Sequence, residues 1–408
     1  MLYDALEARA REEREADLMR RLPGQVAHAK ENTLFYPELL AGIDPRSVDS
    51  RAALASLPLT RKSELVERQR AQKPFGGLNA TAPAKLARIF MSPGPIYDPE
   101  GREADFWRTA RALHAAGFRA GDVALNCFSY HFSPAASMFE TGLHHIGCAV
   151  IPAGTGQTEM QARAIHDLEP AGYVGTPSFL KIILEKADEL GLECKSLRRA
   201  VVSGEALMPA VREFLVQRGL AAFQSYGTAD LGVIAYETEA REGLVVSEEL
   251  IVEIVRPGTS DPVGEGEVGE IVVTTFNRDY PLVRFATGDL SAVLAGTSPC
   301  GRTNVRIKGW MGRADQATKV RGLFVHPHQV AEVLRRHGLS RGRLVVANEA
   351  GEDRMTLRVE REGPGDADLA ARLETTLRDV SKLRGDVRFE PPGSLPNDGK
   401  VIEDARAY

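Results

Sequence analysis

Between about residue 103 and residue 220, amphipathic helical patterns and short apolar runs alternate four times. "READFWRTARALHAAG" precedes "DVALN", and "SPAASMFETGLHHIG" precedes "CAVIP". "EMQARAIHDLEP" then precedes "AGYVG", and "SFLKIILEKADELG" precedes "RRAVVSG". No other feature constrains the fold as much. Strands joined by returning helices lie parallel, and helices then cover the sheet on its faces.

The flanking segments have different textures. Helical patterns over 3–22 and 25–41 open the chain, and Thr60 in "SLPLTRKSEL" is placed to cap a further helix. After 240, "LIVEIV", "VGEIVVTT" and "LVRFATGDLSAV" are short strands between Gly, Pro and Asp turns, as in an antiparallel or barrel-like subdomain. From about 316 the order strand, helix, strand, strand, helix suits a small α+β domain. The expected architecture is α/β: a large N-terminal domain (1–314) of parallel-sheet and barrel-like subdomains, plus a small mobile α+β C-terminal domain (315–408).

Hydrophobic residues make up 43% and charged residues 26% of the chain, as in ordinary globular proteins. A net charge of −5 gives no general attraction to nucleic acid or anionic membranes. No run approaches the roughly 20 apolar residues of a membrane span. The first helix is charged and lacks the apolar core of a signal peptide. Cys127, Cys148, Cys194 and Cys300 are scattered and form no CxxC pair, which argues against a disulfide framework or zinc ribbon. A cytoplasmic protein with no nucleic-acid or membrane partner is expected.

Several motifs invite chemistry. "GEGEVG" (264–269) fits GxGxxG, but it precedes a strand and opens no helix, so it reads as a turn. His144 with His145, and His326 with His328, have no further ligands at metal spacing. "VVSGEAL" (201–207) and "FQSYGTADLG" (223–232) each follow a strand-like start with a glycine and an acid, as at the carboxyl edge of an open sheet. "YPLVRFATGDL" (280–290) sets Asp289 in a tight turn, suited to accepting hydrogen bonds from a sugar diol. Arg313 and Asp315 fall between the expected domains, and Lys400 follows a glycine near the end. Taken singly, each reads more readily as an ordinary turn.

Taken in order, the motifs resemble the acyl-adenylate-forming (ANL) superfamily, and within it the phenylacetate–CoA ligase-like branch. "YPLVRFATGDL", "GRADQATKVRGLFVHPHQVAEVL", "PCGRT" and "AVIPAGTGQTEMQARAIHDLEPAGYVGTPSFL" carry the resemblance, which extends over nearly the whole chain. It implies a two-step reaction. A carboxylate attacks the α-phosphate of ATP to give an acyl-adenylate, and a thiol, usually of coenzyme A, displaces AMP. It also implies that Tyr226 lies against the adenine with Ser203, Gly204, Glu205, Gly227 and Thr228 around it. Asp289 and Arg313 would hold the ribose, Asp230 would help hold Mg²⁺, Asp315 would be the hinge, and Lys400 would bridge carboxylate and α-phosphate. "FSYHFSP" and "GTPSF" would line the acyl pocket, where Tyr130, His131, Phe132 and Phe179 suit a small aromatic acid. His131 reads equally well as a packed core residue.

The resemblance fails at the phosphate loop. Relatives show a Ser/Thr/Gly-rich loop ending Gly-Lys-Pro where this chain has "SPGPIYDP". Ser92, Gly94 and Pro99 survive, Pro93 and Pro95 lack N–H donors, and Asp98 stands where a lysine would neutralise phosphate. Ala229 replaces a hydroxyl that would face the α-phosphate. Arg88 or Arg102 are alternative cations. Of the residues of a structural zinc site in several relatives, only Cys300 remains, so no zinc is expected. The leading reading is an AMP-forming acid–thiol ligase using ATP, Mg²⁺ and coenzyme A. The alternatives are an enzyme running only the transfer step and a pseudo-ligase that binds AMP or an acyl-nucleotide. Branch analogy favours a homodimer.

Overall fold

The alternation folds as its chemistry requires. Strands Ala149–Pro152, Val123–Asn126, Gly172–Gly175, Arg199–Val202 and Ala221–Thr228 lie side by side in that order, every neighbouring pair parallel. Successive residues point to opposite faces of a strand. Ala124, Val174 and Val201 therefore enter one core with Phe118, Phe128 and Phe139. Leu125, Tyr173 and Val202 enter a second core with Ile165, Leu180 and Leu215. Both faces are buried, which is why these strands read as unbroken apolar runs.

In the computed structural model, residues 1–406 are described, except 93, 94, 315, 317, 321, 322, 350, 351, 364 and 365; for 319, 324, 348, 349 and 352 the backbone alone is described. Beyond Ala221–Thr228 the sheet becomes antiparallel through Gly232–Tyr236, Leu244–Val246 and Arg306–Ile307, with Val293–Leu294 at its edge, nine strands in all. Thr60–Arg61, Phe285–Ser291, Gly269–Thr275 and Leu250–Val255 form a second sheet in that order. The C-terminal residues build a four-stranded sheet ordered Asp386–Glu390, Glu352–Glu360, Gly342–Glu349, Ile402–Asp404. Helices Pro327–Arg336 and Ala367–Ser381 pack on it through Val330, Val333, Leu373 and Leu377. The chain separates into two packed units. The first comprises 1–252, 273–285 and 294–310; the second comprises 253–272, 286–293 and 311–408. Among the described residues no helix is long and apolar enough to cross a membrane.

Three local expectations are corrected. Arg11–Asn32 is one helix that runs through Pro23, because Leu18, Leu22, Val26 and Ala29 form a continuous buried stripe that outweighs the one hydrogen bond proline removes. The helix expected from 102 is confined to Thr109–Ala115. Asp105 and Arg108 both adopt left-handed φ, and the Asp105 carboxylate accepts from Thr109 N (2.8 Å) and Ala110 N (3.1 Å), capping the helix there. Thr60 caps nothing: it lies in a strand, and its hydroxyl donates to Val283 O at 2.9 Å.

Candidate active site

In the first unit, the expected nucleoside residues gather at the carboxyl edge of adjacent parallel strands. Ser203 follows Arg199–Val202, and its hydroxyl donates to Ser225 O at 2.8 Å, tying it to the strand that carries Tyr226. Gly204 has φ +82°, a conformation that favours glycine, and a Cβ there would lie 3.6 Å from Thr176. Glu205 accepts from Ser178 N at 2.7 Å, joining this turn to the helix Pro177–Glu189. Tyr226 is buried. At Gly227 a Cβ would stand 2.4 Å from Gly232 O, so only glycine lets the strands close. Thr228 turns its hydroxyl to Leu231 N (3.2 Å), away from the role left open by Ala229.

The acyl-pocket candidates divide. Phe128 stacks on Phe139 at 5.1 Å in the core. Tyr130 donates to Glu140 at 2.6 Å, and burial, with that carboxylate, pushes its phenol well above the ordinary value. His131 is exposed, which removes the packed-core alternative, and Phe132 is exposed with φ +57°. Phe179 packs on the core around Leu180 and Ile183.

The stretch expected to be a phosphate loop is a β-hairpin. Arg88–Ser92 pairs antiparallel with Ile96–Glu100, from Arg88 opposite Glu100 to Ser92 opposite Ile96. Gly94 lies outside the described residues. Ser92 is buried, with its hydroxyl directed at Ile96 O (3.4 Å). Outside the pair, the Gln69 amide bonds both backbone groups of Tyr97 (2.7 and 2.9 Å), and Met91 N donates to Phe132 O at 2.9 Å. This register turns Asp98 inward, where it is fully buried against Asp230. Burial, reinforced by the Asp230 charge, holds the Asp98 carboxyl well above the usual range. Lys62 Nζ donates to Asp230 Oδ2 at 2.5 Å. Both Asp98 oxygens, Asp230 Oδ1 and the buried Tyr280 hydroxyl have no hydrogen-bond partner.

Arg88 and Arg102 are engaged elsewhere, with Glu100 (2.7 Å) and with the carbonyls of Lys85 and Leu86. The cation at this acid pair is therefore Lys62, which sequence reasoning missed. The unsatisfied carboxylate oxygens are hard donors of the kind Mg²⁺ takes. Among the described residues no group of three or more His, Cys, Asp or Glu could hold a metal, so water or phosphate oxygens would complete the shell.

In the second unit, Asp289 and Arg313 pair. Their backbones bridge, and Arg313 Nη1 donates to Asp289 Oδ1 at 2.9 Å. Gly288 N donates to Glu270 at 3.0 Å, and Asp289 N to the Thr287 hydroxyl at 3.1 Å, which fixes the Thr-Gly-Asp turn. Lys400 is exposed beside a cavity of about 410 Å³. Its loop is clamped: Gln316 Nε2 donates to Gly399 O (2.8 Å), and Gln316 Oε1 accepts from Val401 N (2.6 Å) and Ile402 N (3.0 Å). Asn397 bonds Val268 N (3.1 Å) and Gly266 O (3.0 Å), so the "GEGEVG" turn supports this loop. Asp315 lies outside the described residues. Tyr280, Gln316 and Asn397 were also missed; the only signal was their proximity in sequence to the Asp289, Arg313 and Lys400 motifs.

The model of the AMP-binding enzyme family matches residues 104–277. Phenylacetate-coenzyme A ligase of Thermus thermophilus is 32% identical over 380 residues, covering 88% of this chain and 84% of that protein. The enzyme of the same name from Escherichia coli K12 is 30% identical over 377 residues, with coverage of 88% and 84%. A crystal structure of 2-hydroxyisobutyryl-CoA ligase with 2-HIB-AMP and CoA shares the fold at a TM-score of 0.73 and 23% identity, over 96% of this chain and 91% of that one. The chain belongs to the AMP-binding, acyl-adenylate-forming ligases. Within them it stands in the phenylacetate–CoA ligase-like branch.

Proposed function

We propose that the protein is an AMP-forming acid–thiol ligase that activates a small aromatic carboxylic acid with ATP and passes the acyl group to a thiol such as coenzyme A. The observation that carries this reading is the clamped loop that presents Lys400, in a chain similar to phenylacetate–CoA ligases over most of its length. In the first half-reaction a substrate carboxylate oxygen bonds to the α-phosphorus and the bond to pyrophosphate breaks. Lys400 supplies a positive charge to the oxygens of both reactants. Asp289, oriented by Arg313, accepts hydrogen bonds from the ribose diol, and Tyr226 covers the adenine. In the second half-reaction the thiolate attacks the acyl carbon and AMP leaves. Residues 315–408 act as the lid that turns at Asp315 between the two steps.

Asp230 would hold Mg²⁺ through its unpartnered oxygen, and the ion would supply charge neutralisation at the phosphates. Lys62 holds that carboxylate in place. ATP–pyrophosphate exchange and thioester formation, measured with phenylacetate, benzoate and small aliphatic acids, test the reading. Exchange with at least one acid, abolished by Lys400→Ala, is expected. Absence of both exchange and thioester with every acid would overturn it.

A further inference from the structure

We propose that Asp98 and Asp230 form a two-carboxylate site for a divalent cation, Mg²⁺ or Mn²⁺, and that this chain meets the nucleotide phosphates through that ion instead of through a loop lysine. The second half of the statement rests on the ligase reading; the first does not.

The argument begins with unsatisfied atoms. Both oxygens of Asp98 and one of Asp230 lack hydrogen-bond partners, although Asp98 and the Asp230 side chain are fully buried. Buried polar atoms are normally paired, and an ionised carboxylate left alone there is costly. The Tyr280 hydroxyl is an independent observation from another segment. It is buried and unpartnered, and it lies close enough to feel the charges of Asp98 and Asp230.

A single proton shared between the two acids would satisfy one oxygen on each. The nearby Ser92 hydroxyl could serve the other Asp98 oxygen, but the tyrosine hydroxyl would stay unpaired. A divalent ion takes an oxygen from each carboxylate and carries bound waters that can donate to the phenol oxygen, while the phenol O–H donates to a remaining carboxylate oxygen. The donors are all oxygen, with no thiolate or imidazole among them, which selects hard ions over zinc or copper.

Charge points the same way. Were both carboxylates ionised, the Lys62 ammonium would leave one net negative charge on the group, which would repel a phosphate. Adding a divalent ion makes the group net positive. The hairpin is built to hold this arrangement: Gln69 fixes Tyr97 from outside, so its neighbour Asp98 faces in. Pro93 and Pro95 have no N–H to offer a phosphate, so the loss of direct contacts and the gain of an inward acid occur in one element.

Mn²⁺ titration followed by electron paramagnetic resonance on the full-length, nucleotide-free protein tests the site. Wild type should take up one Mn²⁺. Asp98→Asn and Asp230→Asn should each weaken that binding by about tenfold or more, while thermal melting shows both still folded. Asp98→Ser replaces Asp98→Asn if the latter does not fold. Asp98→Asn should also weaken ATP binding in Mg²⁺ while leaving AMP binding in EDTA unchanged. Equal Mn²⁺ affinity in wild type and Asp98→Asn, or no uptake by wild type without nucleotide, overturns the proposal. Acid-dependent exchange with Mn²⁺ binding unaltered in Asp98→Asn would refute the cation site and leave the ligase reading. Mn²⁺ held by both aspartates with no exchange for any acid would refute the ligase reading alone.

Discussion

Replacing Gly399 by alanine should separate the two half-reactions. Gly399 has φ +71°, and a Cβ there would stand 2.7 Å from Val268 Cγ1 and 3.0 Å from Leu290 Cδ1. A left-handed conformation costs a non-glycine residue about 1–2 kcal/mol. Overpacking of this kind adds about 1–3 kcal/mol. Against this, the loop is held by three hydrogen bonds to Gln316, each with a net value of about 1 kcal/mol. The strain, about 2–5 kcal/mol, is comparable to the clamp at about 3 kcal/mol, so the loop shifts and the cores beneath it stay intact. A displacement of about 1 Å at a positioning group can cost about 10²-fold in rate. ATP–pyrophosphate exchange should therefore fall by about that factor, while thioester formation from synthetic acyl-adenylate and coenzyme A stays near the wild-type rate. Unchanged exchange, or equal losses in both steps, would refute the reasoning.

Lys62→Met leaves the Asp230 carboxylate without its ammonium. Asp230 is fully buried and Lys62 is 22% exposed, so the cost lies between an exposed pair (about 0–1 kcal/mol) and a broken buried one (about 3–5), near 2–3 kcal/mol by urea denaturation. Adding Asp230→Asn should recover part of that loss, whereas strictly additive effects would show that the two do not interact. Asp289→Asn and Arg313→Met should each weaken AMP binding by about tenfold in calorimetry, with little further loss in the double variant, because the two act as one unit. Burial would push the Cys300 thiol up, but hydrogen bonds with Ser298, Thr238 and Arg302 outweigh it and hold the thiol below its ordinary value. Burial pushes Cys127 up to about 12 and Cys148 up to about 11. As pH rises toward 8, Cys300 reaches its thiolate first, so mass spectrometry should find it alkylated by iodoacetamide well before the other two. Prior labelling of Cys127 would contradict this.

The parallel sheet was legible because burial on both faces imposes a pattern that survives in one dimension: Tyr173 and Val174 had to be apolar together. The helix at Thr109 was over-extended because Asp105 and Arg108 leave helical φ/ψ for reasons of capping that composition does not register. "SPGPIYDP" looked like an open loop because prolines and a glycine punctuate it. The period-two placement of Phe90, Ser92, Ile96 and Asp98 on the buried face was present, but an acid at an inward position disguised it. The partnership of Lys62 with Asp230 spans 168 residues and leaves no local trace. The motifs expected to hold a nucleoside were visible as a pattern because strand ends, glycines and acids recur along the chain.

The bond from Met91 N to Phe132 O joins the hairpin to the segment that follows Tyr130. A change that moves one moves the other, so on the proposed reading acid preference and nucleotide handling would be inherited together. Exchanging acyl-recognition segments between members of this branch should therefore succeed only when residues 88–100 travel with 128–134 as a single cassette. A graft of the second segment alone would import a backbone carbonyl aimed at a donor that has moved.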